Sequence, residues 1–235
     1  MMLETQNSSI LDRLEKFVRH KGSVIKFLEI PAELFDDVKV SKERFSQSNY
    51  YRLAIGKFIK NGQVLYLDSD TLVLNNLEKL FQKNLGDNVV AAVPDPIDSS
   101  GSYFNSGVLL INTHQWNSLD VFEKTMELAV NTNNQWVDQD CLNSVLRKRW
   151  LALENEYNLQ TLHLEGINNH LTDHQQPFII HFTGSLKPWN FRSNSPYKKY
   201  YWQFLRQSVA RYMVPNNYSI IEKLKWYYLR FFSRS

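Results

Sequence analysis

Apolar and polar positions along this chain repeat with two different periods. Ile10, Leu11, Leu14, Phe17 and Val18 recur at helical spacing, with Ser8 or Ser9 placed to cap the first turn. "SVIKFLEI" (23–30) reads as a strand closed by Pro31. Residues 41–59 carry Phe45, Tyr50, Tyr51, Leu53, Ile55 and Phe58 and predict a helix. Apolar runs of strand length follow at 64–67, in "NVVAAV" (88–93), in "GVLLIN" (107–112) and in "FIIHF" (178–182). Among them, 119–131 places Phe122, Met126, Ala129 and Val130 on one side of a helix, and "DQDCLNSVLRKRW" (138–150) predicts one more. Strands alternating with helices indicate an α/β fold with a mixed, mostly parallel sheet.

Composition narrows the class. A chain of 235 residues suits one domain, or one with an appendage, and 43% hydrophobic residues are enough for a sizeable core. The net charge of +3 does not point to nucleic acid. Cys141 is the only cysteine, which rules out an intramolecular disulfide and suits a reducing, cytoplasmic setting. No apolar run reaches the length of a membrane span, and "MMLETQNSSI" carries no signal-peptide pattern. Beyond about Pro196 the chain turns rich in Tyr, Trp, Lys and Arg, so a domain over 1–195 and a helical tail over 196–235 are expected.

The strand in "VLYLDSDTLV" (64–73) ends in Asp68 and Asp70. Such a pair is either a polar turn or a set of carboxylates at the carboxyl edge of a sheet, where open α/β folds place ligands. An EF-hand loop needs Gly and Glu where Val73 and Lys79 stand, so that reading fails. A haloacid-dehalogenase phosphatase pattern has Thr or Val where Leu72 stands. A D-x-D site for a nucleotide-sugar remains, because a hard cation held by carboxylates neutralises a diphosphate as its bond breaks.

Three companions accompany the pair: "YFNSGVLLIN" (103–112), with an Asn-Ser-Gly turn before a buried strand; "DQDCLN" (138–143), at a helix start; and "HFTGSLKPW" (181–189), after the last strand. From about residue 8 to 190 this order resembles glycosyltransferase family 8, the retaining galactosyl- and glucosyltransferases of bacterial lipopolysaccharide synthesis. The resemblance implies a nucleotide-sugar transferase fold of the GT-A-like type. It also implies a UDP-sugar donor, a saccharide or lipid-linked saccharide acceptor, and Mn2+ held by Asp68, Asp70 and His181; imidazole suits manganese better than magnesium. Without its companions His181 reads equally as a core histidine at a strand end.

Carried over motif by motif, the resemblance puts Gly184 and Lys187 at the diphosphate, Asn105 and Arg52 at the donor sugar, and Asp95 near the acceptor. Lys187 can also be read as a surface lysine, Asn105 as a turn former and Arg52 as an exposed helix charge. Asp138 and Gln139 match the pair beneath the transferred sugar, where a polar helix N-terminus is the competing reading. Retaining glycosidases use a carboxylate nucleophile, and an amide is a poor one. Same-face attack is therefore expected, with Gln139 stabilising positive character at the anomeric carbon and Asp138 holding sugar hydroxyls.

Two further expectations concern the ends. The family opens with a strand and an acidic loop that grips uracil and ribose, and residues 1–30 do not match it. The resemblance thus implies a fold lacking that N-terminal strand, and either an active transferase or a silent remnant that binds metal or a partner. At the other end, "YSIIEKLKWYYLRFFSRS" (218–235) drawn as a helix places Ile220, Leu224, Tyr227, Tyr228 and Phe231 on one side with cations flanking. That pattern suits peripheral attachment to the inner face of the cytoplasmic membrane, or docking on the domain core.

Overall fold

The computed structural model describes residues 8–38, 47–132, 138–164, 176–216, 219–222 and 224. Helix α1 (Ser8–His20) forms where the spacing predicts it. The strand expected over 23–30 does not form: those residues are almost wholly irregular, and Val24 is exposed. A strand depends on its ladder of backbone hydrogen bonds, and among the described residues no strand pairs with this stretch, where Leu28 alone makes an isolated bridge. A 3-10 helix, Gln47–Ala54, continues into α2 (Ile55–Phe58) and buries Tyr50, Leu53, Ala54 and Ile55.

Strand β1 (Gln63–Leu67) runs into the Asp68-Ser69-Asp70 corner, and β2 (Thr71–Val73) leaves it. The short helix α3 (Glu78–Phe81) precedes β3 (Val90–Pro94) and β4 (Phe104–Asn112). Next come α4 (Thr113–Ser118), α5 (Val121–Asn131) and α6 (Asp138–Val145). The helix expected to reach Trp150 ends with α6. Lys148 adopts a left-handed φ of 63°, which turns the chain out of its helical path, and Trp150 opens β5 (Trp150–Ala152). Strands β6 (Leu159–Gln160) and β7 (Ile179–His181) and helix α7 (Lys198–Leu205) complete the described elements.

One sheet has the order β1-β4-β3-β5 and the other β2-β7-β6. Both are mixed, as expected. Among the described strands, however, the parallel pairs β3–β5 and β6–β7 are outnumbered by the antiparallel pairs β1–β4, β3–β4 and β2–β7, so there the sheets are mixed rather than mostly parallel. The cause is the connection between β3 and β4: a loop with no helix brings the chain straight back, whereas a parallel return needs a crossover. Asn105, Ser106 and Gly107 are also not a turn but the opening of β4.

The core is organised around β4, which is buried on both faces. Leu109 and Ile111 face Trp116, Ala129, Cys141 and Leu142, while Leu110 faces Ala91, Val93 and Leu80. That alternation is the period of a strand, and burial on both faces explains its continuous apolar run. Each such Leu or Ile contributes about 1.5–3 kcal/mol. The second sheet packs Leu159, Ile180 and Phe182 against Tyr197, Tyr200 and Tyr201, at the start of α7. The two sheets meet at the aspartate corner. The Asp68 N–H donates to Gly107 O of β4 (2.8 Å), and the Phe182 N–H donates to Asp70 O (2.9 Å).

Candidate active site

Two segments deliver the Asp-Asp-His cluster. Asp68 and Asp70 stand at the corner after β1, and the register β2–β7 sets Thr71 opposite His181. His181 Nε2 lies 3.2 Å from Asp70 Oδ1 and 3.8 Å from Asp68 Oδ2. The other carboxylate oxygens are occupied. Asp68 Oδ1 accepts from Tyr66 Oη (2.6 Å) and pairs with Arg52 (3.0 Å), and Asp70 Oδ2 pairs with Lys187 Nζ at 2.5 Å. Burial raises the Asp70 pKa, but His181 and Lys187 outweigh it and bring the group down to about 2.

The donor set fits a divalent cation. One ligand atom from each of Asp68, Asp70 and His181 lies within 4.8 Å of the others, and the mix of two carboxylates and an imidazole suits a first-row metal such as manganese. Space is kept for it by Gly107, where an added Cβ would fall 2.2 Å from His181 Cε1 and 2.7 Å from Asp68 Oδ2.

Arg52 is 7% exposed, which removes the reading of a surface charge. Its guanidinium stands 3.0 Å from Asp68 and 3.1 Å from Asp138, donates to Ser106 O (2.6 Å), and lies over the Tyr66 ring at 4.8 Å. Burial lowers the Arg52 pKa, but Asp138, Tyr66 and the corner aspartates more than reverse it. Asp138 is raised by burial and held back by Arg52. Its Oδ2 is close to Arg52 Nε, yet that N–H is spent on Asn49 O, so Oδ2 has no hydrogen-bond donor among the described residues. A buried acceptor in that state is ready for a hydroxyl.

Gln139 is fixed at both ends of its carboxamide. Oε1 accepts from Ser106 N–H (2.9 Å) and Nε2 donates to Asp95 Oδ2 (3.0 Å). Asn105 is buried beside them and donates to the same Asp95 oxygen at 3.2 Å. Asp95 is itself buried beneath Gln139 and Asn105. Gly184 has φ +89°, a backbone that glycine takes without strain, and Lys187 also donates to Phe182 O (2.8 Å). The structure therefore brings nine of the ten candidates into one connected polar network, with Gly184 on the adjoining loop. Next to it is a cavity of about 620 Å³ lined by Asn49, Arg52, Tyr66, Asp68 and Ser69, within the size range of small-molecule sites.

Tyr66, Gly107 and Asn158 belong to the site and were not singled out from the sequence. Asn158 Oδ1 sits 3.1 Å from His181 Nδ1. A glycine within a strand often marks a close approach, and that signal was present for Gly107.

The fold matches that of the galactosyltransferase LgtC, solved with donor and acceptor sugar analogues, at a TM-score of 0.76 and 25% identity over 89% of this chain and 84% of that one. The class is thus a glycosyltransferase with a GT-A-like fold. More narrowly, residues 1–193 match the model of glycosyl transferase family 8, and the chain belongs to that family. General stress protein A of Bacillus subtilis is 29% identical over 82% of this chain and 76% of its own length. Glycosyltransferase GlyD of Streptococcus pneumoniae is 35% identical over 80% of this chain but only 25% of its own length. The chain therefore spans three quarters of the first relative and a quarter of the second. Among the described residues no helix is long and apolar enough to cross a membrane.

Proposed function

We propose that this chain is a retaining hexosyltransferase that moves galactose or glucose from a UDP-sugar to a saccharide acceptor of the lipopolysaccharide or lipooligosaccharide type. The observation that carries the reading is the convergence of Asp68, Asp70 and His181 at the sheet junction, joined by one salt bridge to Arg52 and through it by a second to Asp138. Those three residues would hold Mn2+, which when bound screens the charge of the leaving diphosphate. Lys187 adds an ammonium to the same phosphates, and Gly184 lets the backbone approach them.

The chain's own groups account for the rest. Asp138 Oδ2 takes a sugar hydroxyl, and Asn105 contacts the same sugar. Gln139 is immobilised by Ser106 and Asp95, so its carbonyl dipole is preorganised for positive charge at the anomeric carbon. The acceptor hydroxyl forms its bond on the face from which the diphosphate departs, and its proton passes to the departing phosphate oxygen. Asp95 supports this floor and lies near the acceptor. The aromatic, basic segment 196–235 would hold the enzyme on the inner face of the cytoplasmic membrane, close to a lipid-linked acceptor.

The test is UDP-galactose and UDP-glucose turnover with and without Mn2+. Activity should require the metal and should be abolished in Asp70→Asn while the thermal melt is kept. Full turnover in excess chelator would overturn the reading.

A further inference from the structure

Behind His181 runs a chain of side-chain hydrogen bonds whose direction can be read from one end to the other. Asp95 starts it. A carboxylate only accepts, and Asp95 Oδ2 receives Gln139 Nε2 (3.0 Å) and Asn105 Nδ2 (3.2 Å). Asn105 must then present Oδ1 in the opposite direction, where it accepts from Gly107 N–H (3.0 Å) and from Asn158 Nδ2 (2.9 Å). Asn158 has spent its amide nitrogen on Asn105, so only its Oδ1 is left for His181 Nδ1, 3.1 Å away. Two acceptors cannot share that contact, and His181 Nδ1 must carry a proton.

The geometry points to Asn158 as a positioning residue: oriented by Asp95 through Asn105, it makes His181 Nδ1 a donor and so reserves Nε2 for the cation. Asn158 is 1% exposed and His181 4%, so the contact is made away from bulk solvent. An outer partner of this kind fixes both the tautomer and the ring plane of a histidine ligand. The same chain ends on Gln139, so the ring that holds the metal and the amide beneath the transferred sugar share one hydrogen-bonded frame. This deepens the transferase reading and, for its metal arm, rests on it.

Two measurements test the assignment separately. In the metal-free wild-type protein with the ring neutral, the imidazole 15N shifts of His181 should report a protonated Nδ1 and a bare Nε2; a neutral ring with its proton on Nε2 overturns the proposal whatever the metal does. Mn2+ titration followed by electron paramagnetic resonance then compares variants. Asn158→Ala should weaken Mn2+ binding about 10–100-fold. Asn158→Asp keeps an acceptor for Nδ1–H but sets two oxygens against each other at Asn105. It should bind Mn2+ nearly as wild type and lose kcat instead. Native Mn2+ affinity in Asn158→Ala, or equal losses in both variants that track a fall in melting temperature, would show Asn158 to be mere packing. Should Asn158→Ala not fold, the wild-type 15N shifts and the Asp variant still decide. A wild-type protein with protonated Nδ1 that binds no Mn2+ would sink the metal reading and leave the hydrogen-bonded chain standing.

Discussion

Gly107 and His181 approach so closely that no side chain fits between them: a methyl group on Gly107 would lie 2.2 Å from the imidazole Cε1. Gly107 has no left-handed φ, so the backbone accepts alanine and the conflict is one of space alone. Gly107→Ala must push the His181 ring or the Asp68 carboxylate aside. We expect a loss of roughly 1–3 kcal/mol in stability, the cost of overpacking, and a far larger proportional loss of Mn2+ affinity. Calorimetric melting beside Mn2+ titration checks both, and unchanged metal binding would contradict the geometry.

Arg52 sits between two carboxylates, at 3.0 Å from Asp68 and 3.1 Å from Asp138. Removing it in Arg52→Ala leaves Asp138 buried and unpaired, which should cost about 3–5 kcal/mol. Arg52→Lys restores one contact and not the fork, so kcat/KM should still fall at least about tenfold. Adding Asp138→Asn to Arg52→Ala should recover part of the stability and none of the turnover. Strict additivity in that double-mutant cycle would mean that the two side chains are not coupled.

Particular residues show what could be read without coordinates. The strands at 90–94 and 104–112 are buried and that at 63–67 is half-buried, and burial writes itself as apolar runs. Strands β2, β5 and β6 have three, three and two residues, too few for any period to be visible. Asp68, Asp70 and His181 were legible as candidates because their chemistry travels with a motif. Asn158 was not, because its role arises from partners 53 and 23 positions away, and nothing local marks it. The reading of Arg52 as an exposed helix charge failed for the same reason, since its burial depends on β1, β4 and α6 closing around it.

The loop between β3 and β4 carries its own pH signature. Asp98 accepts from the backbone and hydroxyl groups of Ser100 and Ser102. Those hydrogen bonds, from Ser100 first, hold its pKa down at about 2 against a usual 3.8. A depressed carboxylate contributes order that is fully present above its ordinary pKa and is lost as pH falls through the folded value. The 13C carboxyl shift of Asp98 should therefore titrate near 2. Protection of the Ser100 and Ser102 amides against exchange should fade between roughly pH 4 and pH 2. A midpoint near 4 would mean that the loop does not hold this hydrogen-bonded form.

The C-terminal segment raises the question of what its apolar residues face. Asn216 pairs with Trp189 and Phe191, which anchors the chain to the loop after His181, and Arg192 pairs with Glu222. Beyond those ties, Tyr212 is 82% exposed and Ile220 79%, with Met213, Val214, Ile221 and Leu224 also open. Residues 225–235, which carry most of the expected amphipathic face, lie outside the described residues. Ile220, Ile221 and Leu224 left in water, in a stretch whose sequence also carries Lys223, Lys225 and Arg230, suit an anionic lipid surface, where the cations meet phosphates and the apolar side chains enter the interface. The segment is too charged to span. Sedimentation with anionic liposomes, comparing the whole chain with one ending at Asn217, measures this directly. The whole chain should co-sediment, added salt should weaken it by screening, and the shortened chain should stay in the supernatant. Neutral liposomes should retain less of the whole chain than anionic ones, because the cations then have no counter-charge. If both chains partition equally, the residues after Asn217 have no part in membrane attachment.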